Sequence, residues 1–343
     1  MQEKAKMTIA IDGFGGDNAP LSVLQGCEMA VKELDVHMII TGDEQKLKAC
    51  ASENNISLDG ITIHHSDDVI AVEDHPQSIM KEHNNCSMAE ALKLVANGDA
   101  DAFVTAGSTG AMVIGSTFIV KRIKGIKRAA LAPIIPTAKG PYMLMDSGAN
   151  IECKSEALVQ FAIMGSIYMN KIMGIDSPRV GLVNIGAEDT KGPEVLVETN
   201  KILKQSKLNF IGNIEPRQIP YGDCDVAIAD GFTGNVILKL TEGLGKMLAV
   251  KIKGMFMTST LGKIAGLLVL KKIKEFKKSM DYKEAGGAPL MGVTKPVIKA
   301  HGSSDGRAFK NAIRQARDFA QRDVIGEITM ALEEQKAIEQ VEG

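Results

Sequence analysis

The sequence predicts an α/β protein, a three-layer α/β/α arrangement on a mostly parallel sheet. Three observations point there. Short β-branched or apolar runs alternate with longer stretches of helical period. Five of the runs end in a turn of small residues that leads straight into a helix. No internal repeat or low-complexity linker breaks the 343 residues, so one continuous two-lobed unit over residues 7–330 is expected.

The strand-like runs lie at 8–11, 36–41, 61–64, 102–104, 179–185, 226–229 and 296–300. Helical period marks 21–34, 87–97, 155–169, 193–205 and 304–324. The turns between them read "IDGFGGDNAP", "VTAGSTGAM", "NIGAEDTKGPE", "IADGFTGNVI" and "AHGSSDGRAF". In a parallel sheet the carboxyl ends of the strands share one edge. There, helix N-termini offer free N–H groups and the positive end of the dipole to an anion. Five turns rich in Gly, Ser, Thr and Asn therefore predict a wide cleft for an anionic ligand.

Composition narrows the field. Apolar residues make up 45% and charged residues 24%, ordinary for a globular chain, and the formal net charge of −2 gives no general reason to expect nucleic acid. Cys27, Cys50, Cys86, Cys153 and Cys224 are scattered without a C-x-x-C pair, which argues against a disulfide framework or zinc site and fits a cytoplasmic setting. The start, MQEKAKMTIAIDG, does not read as a signal peptide, and no apolar run reaches membrane-spanning length. Counting from Gly13, the dinucleotide pattern G-x-G-x-x-G fails at Asn18, and no Walker A motif occurs. A nucleotide loop at the first turn is thereby disfavoured, and a smaller anion or a structural turn is expected.

Taken in order, "IDGFGGDNAP", "ADAFVTAGSTGAM", "ALAPIIPT", "DSGANIEC", "VGLVNIGAEDTKG", "DGFTGNVILK" and "GGAPLMGV…VIKAHGSSDGRAFKNAI" resemble the PlsX-type phosphate acyltransferases of bacterial phospholipid synthesis, over about residues 7 to 325. The resemblance implies a fold like that of isocitrate and isopropylmalate dehydrogenases. It implies transfer of a long-chain acyl group from acyl carrier protein to inorganic phosphate, the acyl phosphate going on to a glycerol-3-phosphate acyltransferase. It also implies a homodimer needing no metal and no cofactor. Phosphate is itself the nucleophile in such a reaction. The site then needs donors for phosphate, a stabiliser for the tetrahedral oxyanion and a proton for the departing thiolate.

The residues for those tasks follow from chemistry and resemblance together. Lys191 in "EDTKG" is the first choice for phosphate or oxyanion stabilisation. Asp230 could orient it or move a proton, or merely cap a helix. His301 is a candidate general acid or a structural histidine; His37, His64, His65, His75 and His83 read as ordinary. Candidate phosphate or thioester contacts are Gly107, Ser108, Thr109, Gly110, Asp146, Asn150, Thr233, Gly234, Asn235, Ser303 and Ser304. Capping and turn-building are their bland alternatives. Ser108 stands where the family commonly has Asn, and "MKEHNNCSM" at 80–88 is poorer in basic residues than its usual counterpart.

Residues 246–283 form a distinct feature. Ten lysines against Glu275 and Asp281 give this inserted segment a net +8. Leu261, Ile264, Ala265, Leu268, Ile273 and Phe276 fall near helical spacing, Leu267 widens the apolar face, and Lys271 and Lys272 stand beside it. A basic amphipathic helix suits an acidic carrier or an anionic membrane surface; a core or dimer helix with a lysine face is the alternative. The resemblance favours peripheral membrane association. An acidic C-terminal tail is expected at 331–343. Three other readings compete: a coenzyme A-dependent phosphotransacetylase, a catalytically inactive carrier- or membrane-binding module, and, least favoured, a dehydrogenase.

Overall fold

The computed structural model describes residues 6–279 and 286–342, with side chains at 274–279 and 335–342 outside the description. Two mostly parallel sheets, each flanked by helices, replace the single sheet that the alternation suggested. The first holds β1 (Met7–Asp12), β2 (Val36–Gly42), β3 (Ile61–His65), β4 (Ala102–Thr105), β5 (Ala130–Leu131), β11 (Ala288–Met291) and β12 (Val297–Lys299). Its order is β3-β2-β1-β4-β12-β11-β5, with β11 antiparallel to both neighbours. The second holds β6 (Ile134–Thr137), β7 (Gly140–Met145), β8 (Val180–Val183), β9 (Phe210–Ile214) and β10 (Val226–Ile228), in the order β6-β7-β10-β8-β9. The β6–β7 hairpin was missed in the sequence because Pro136, Gly140 and Pro141 interrupt its pattern. β6 is the edge strand, and Pro141 faces Pro136 at the start of β7, before β7 pairs with β10 at Met143.

The helices are α1 (Leu21–Leu34), α2 (Glu44–Glu53), α3 (Ser87–Asn97), α4 (Thr109–Gly115), α5 (Ser155–Lys171), α6 (Glu194–Gln205), α7 (Gly231–Met257), α8 (Thr260–Ser279), α9 (Gly306–Gln321) and α10 (Val324–Glu342). α1 and α3 match their expected bounds. The helix expected at 304–324 starts later, because Asp305 caps it by accepting a hydrogen bond from Ala308 N. It also stops at Gln321, with Asp323 at φ 46° before α10 begins. The tail expected at 331–343 is the second half of α10, with Leu332 packed in the core; Gly343 lies outside the described residues.

One apolar cluster runs through both sheets, from Ile9, Ile11 and Met38 to Val180, Leu182 and Val226. Such burial is the main term holding the halves together, at about 25 cal/mol per Å² of apolar surface. α1 and α9 pack so closely that a Cβ on Gly26 would stand 2.8 Å from that of Phe309. α7 and α8 differ from this core. They form a helical hairpin turning at Thr258 and Ser259, with Phe256 seated against Gly266. Leu261, Ile264, Leu267 and Leu268 are exposed there, as are Lys271 and Lys272. Residues 280–283 of the basic segment lie outside the described residues. No helix among the described residues is long and apolar enough to cross a membrane.

Candidate active site

Parallel pairing gathers the expected turns along two strand edges. The turns after β1, β4 and β12 lie side by side in the first sheet. Those after β7, β10 and β8 do so in the second.

On the first edge the glycines of "IDGFGGDNAP" meet other parts of the chain. A Cβ on Gly13 would stand 2.6 Å from Thr41 O, one on Gly15 2.6 Å from Gly107 N, and one on Gly16 2.8 Å from the Cβ of Ala106. Asp17 N donates to Gly302 O at 2.9 Å, and Asn18 Nδ2 to Ser304 O at 3.2 Å. The first turn is therefore a wedge holding the 105–110 and 301–304 turns in place. Gly107, Ser108, Thr109 and Gly110 start α4: Ser108 Oγ caps it by accepting from Ala111 N at 3.4 Å, and Gly110 packs under Pro76.

Beneath these turns lies a charge cluster that the sequence reading did not select. Asp12 is buried; its carboxylate accepts from Ser87 Oγ and Thr105 Oγ1, both at 2.7 Å, and from Phe14 N at 3.3 Å. Burial raises its pKa, and these hydrogen bonds oppose the rise. Lys299 ends β12, where burial lowers its pKa to about 8 against the pull of Asp12 and Asp17. A lysine closing an otherwise apolar buried strand was the available signal.

His301 follows. Ser303 N donates to its Nδ1 at 3.1 Å, so the ring proton of the neutral form sits on Nε2. Burial lowers its pKa, with Glu242 opposing and Lys299, Lys239 and Lys246 adding to the fall. The imidazolium expected of a general acid is thus disfavoured, and a neutral N–H donor fits the geometry better. Ser303 is exposed and Ser304 buried. α7 grows from the second sheet, and the charges of Lys239, Glu242 and Lys246 along it act on His301 of the first.

On the second edge Asp146 is fully buried and accepts from Leu131 N, Gly148 N, Ala149 N and Asn150 N, and from Asn150 Nδ2. Asn150 Nδ2 also donates to Ala129 O at 2.7 Å. Of the two readings of Asp146 and Asn150, phosphate contact or turn-building, these hydrogen bonds belong to turn-building. The carboxylate is saturated and repels anions, and both amide hydrogens are used. Together they clasp β5, at the end of the first sheet, to β7 of the second. Gly234 is likewise a packing residue, since a Cβ there would stand 1.8 Å from Asp146 O.

Asp230 caps α7, its Oδ1 accepting from Thr233 N at 2.7 Å; this is the capping alternative, and it leaves the other carboxylate oxygen for further contacts. Asn235 packs against Gly148 at the same helix start. Lys191 stands exposed on the loop after β8. Asn184 closes that loop, donating from Nδ2 to Lys191 O at 2.9 Å and accepting from Ile185 N at 2.8 Å. Cys153 lies within the influence of Asp146 and Asp230, and burial above all pushes its thiol up to about 12, so it is protonated and a poor nucleophile. Among the described residues no group of three His, Cys, Asp or Glu could hold a metal ion. The cavity of about 270 Å³ beside Arg179 and Asp225 is at the opposite, amino edge of β8 and β10 and contains none of these groups.

Solved structures share this architecture. The phosphotransacetylase of Staphylococcus aureus superposes with a TM-score of 0.63 at 19% identity, covering 92% of this chain and 94% of that one. A branched-chain phosphotransacylase from Enterococcus faecalis gives 0.56 at 15% identity, covering 92% and 99%. A putative 4-hydroxythreonine-4-phosphate dehydrogenase from Salmonella typhimurium gives 0.51 at 12%, covering 92% and 99%. At these identities the likeness shows the fold alone.

Sequence relatives are closer. The model of the family described as fatty acid synthesis protein matches residues 7–327. A phosphate acyltransferase of Clostridium botulinum is 49% identical over 323 residues, covering 94% of this chain and 96% of the relative. One from Clostridium acetobutylicum is 46% identical over 329 residues, covering 96% and 99%. The chain belongs to this phosphate acyltransferase family of fatty acid synthesis proteins, a family of acyl-transferring enzymes.

Proposed function

We propose that the protein transfers a long-chain acyl group from acyl carrier protein to inorganic phosphate, giving an acyl phosphate for phospholipid synthesis. The observation that supports this reading is that His301, in the turn of the anion-suited edge, feels the charges of Lys239, Glu242 and Lys246 along α7, the helix that leads into the basic, apolar hairpin. A small anion suits the turns; an acidic carrier or membrane with an aliphatic chain suits the hairpin.

Phosphate, held by Ser108, Thr109, Ser303 and backbone N–H groups, attacks the thioester carbonyl. The new P–O–C bond forms as the carbonyl electron pair moves onto oxygen. Lys191 and the Nε2–H of His301 stabilise that oxyanion, in the way preorganised donors do. Collapse breaks the C–S bond, and the carrier thiolate leaves, taking up the proton that the attacking phosphate gives up. Asp230 orients the loop around Lys191, with Thr233 and Asn235 at the neighbouring helix start. No cofactor takes part.

The hairpin residues Leu261, Ile264, Leu267, Leu268, Lys271 and Lys272 meet the carrier or an anionic membrane. The enzyme acts as a cytoplasmic homodimer at that surface, where a glycerol-3-phosphate acyltransferase consumes the product. Incubating the enzyme with palmitoyl–acyl carrier protein tests the reading: acyl phosphate and free carrier should appear only when phosphate is present. Equal turnover of the coenzyme A thioester would shift the reading to a phosphotransacetylase. Leu267→Glu with Leu268→Glu should release the enzyme from anionic vesicles while the fold stays intact; unchanged co-sedimentation counts against the membrane role.

A further inference from the structure

One peptide group on the first edge is held at both ends by opposite charges. The carbonyl of Ala106 accepts from Lys299 Nζ at 3.1 Å. The N–H of Gly107, in the same peptide plane, donates to Thr105 Oγ1 at 2.9 Å, and that hydroxyl donates to Asp12 Oδ2 at 2.7 Å. This plane immediately precedes Ser108 and Thr109, so its rotation sets where their donors point. Lys299 Nζ also donates to Ala300 O at 2.6 Å, which places the peptide leading into His301 under the same ammonium group. Gly15 closes the arrangement from above: a Cβ there would stand 2.5 Å from Asp12 Oδ2.

We propose that Lys299 is a positioning residue of the active site. Its ammonium ties the turns after β4 and β12 together and sets a positive charge against the field of the buried Asp12 carboxylate behind them, so phosphate binds well only while Lys299 is protonated. This rests on the reading that phosphate occupies those turns.

The charged and titratable groups facing Lys299 are Asp12 from β1, Asp17 from the following turn and His301 from its own strand end. Losing the proton leaves two carboxylates uncompensated behind an anion site, which weakens phosphate binding before it alters the chemical step. The lowered pKa of Lys299, about 8, places that loss just above neutral pH.

The test measures binding of inorganic phosphate by calorimetry, and the phosphate KM during acyl transfer, between pH 6.5 and 9.5. In the wild type, binding should weaken as pH rises through about 8. Lys299→Met should weaken it roughly tenfold at pH 7, with a smaller fall in kcat. Lys299→Arg should bind within about threefold of wild type and lose the alkaline weakening, because guanidinium keeps its proton. Adding Asp12→Asn to Lys299→Met should recover much of the binding, a non-additivity expected of paired charges.

Phosphate binding by the wild type that is unchanged in Lys299→Met, or an alkaline weakening that persists in Lys299→Arg, overturns the inference alone. Absence of phosphate binding in the wild type overturns the underlying functional reading and the inference with it. The wild-type pH profile and the arginine variant keep the test decisive if the methionine variant fails to fold.

Discussion

The two strand edges are built from similar letters and work differently. Both carry an Asp with glycine close behind it, "DGFGGD" at the end of β1 and "DSGAN" after β7. On the second edge Asp146 is spent on structure: backbone N–H groups and one amide saturate it, and it fastens one sheet to the other. On the first, Asp12 accepts from two hydroxyls and one N–H and faces a lysine, so its charge stays coupled to a titratable partner. A buried carboxylate satisfied by backbone is a fastener. One balanced by a lysine can respond to pH and to a neighbouring anion. The glycines follow the same division, since Gly15 admits the Asp12 cluster and Gly234 admits the carbonyl of Asp146.

The sharpest way to break this comparison is to remove each carboxylate. Asp146→Ala orphans the N–H groups of Leu131, Gly148, Ala149 and Asn150 and should destabilise the fold by at least about 3 kcal/mol. Chemical denaturation would show it; a loss under about 1 kcal/mol would mean water satisfies those groups. Lys191→Ala should behave in the opposite manner. With an exposed side chain on a loop closed by Asn184, it should lower kcat by about 100-fold and leave the melting temperature unchanged. A matching fall in stability would make Lys191 structural.

Gly15→Ala is intermediate. It forces a methyl against Asp12, Thr105 and Gly107, with an expected loss of about 1–3 kcal/mol and a raised phosphate KM. A variant as stable as wild type with normal phosphate kinetics would show that the cluster yields easily.

A last effect is the pH dependence of stability. Burial lowers the pKa of Lys299 from the usual 10.5 to about 8, so above pH 8 the unfolded chain binds more protons than the folded one. Wild-type stability should therefore rise relative to Lys299→Met as pH climbs from 8 towards 10. A flat difference across that range would mean the ammonium is hydrated.

Much of this was legible along the chain because it is local. The alternation of apolar runs and helical periods depends on neighbours a few residues apart, and it located α1 and α3 at their observed bounds. The capping reading of Asp230 likewise needed only Thr233, three residues away. The ordered motifs identified the family, which the relatives then showed. The antiparallel strands were less legible: β5 has only two residues, β11 (Ala288–Met291) carries a proline and no β-branched residue, and prolines and a glycine obscure β6 and β7.

Tertiary structure alone decided which charges meet. Thr105 reaches Asp12 across 93 positions, and Lys299 reaches Ala106 across 193. No periodicity encodes such distances, since sheet order rather than chain order makes β1, β4 and β12 neighbours. For the same reason the sequence by itself established that "IDGFGGDNAP" needs close backbone approach, while only the fold decided that what approaches is the rest of the chain. Glycine specifies that a Cβ has no room, and the packing around it determines what fills the space.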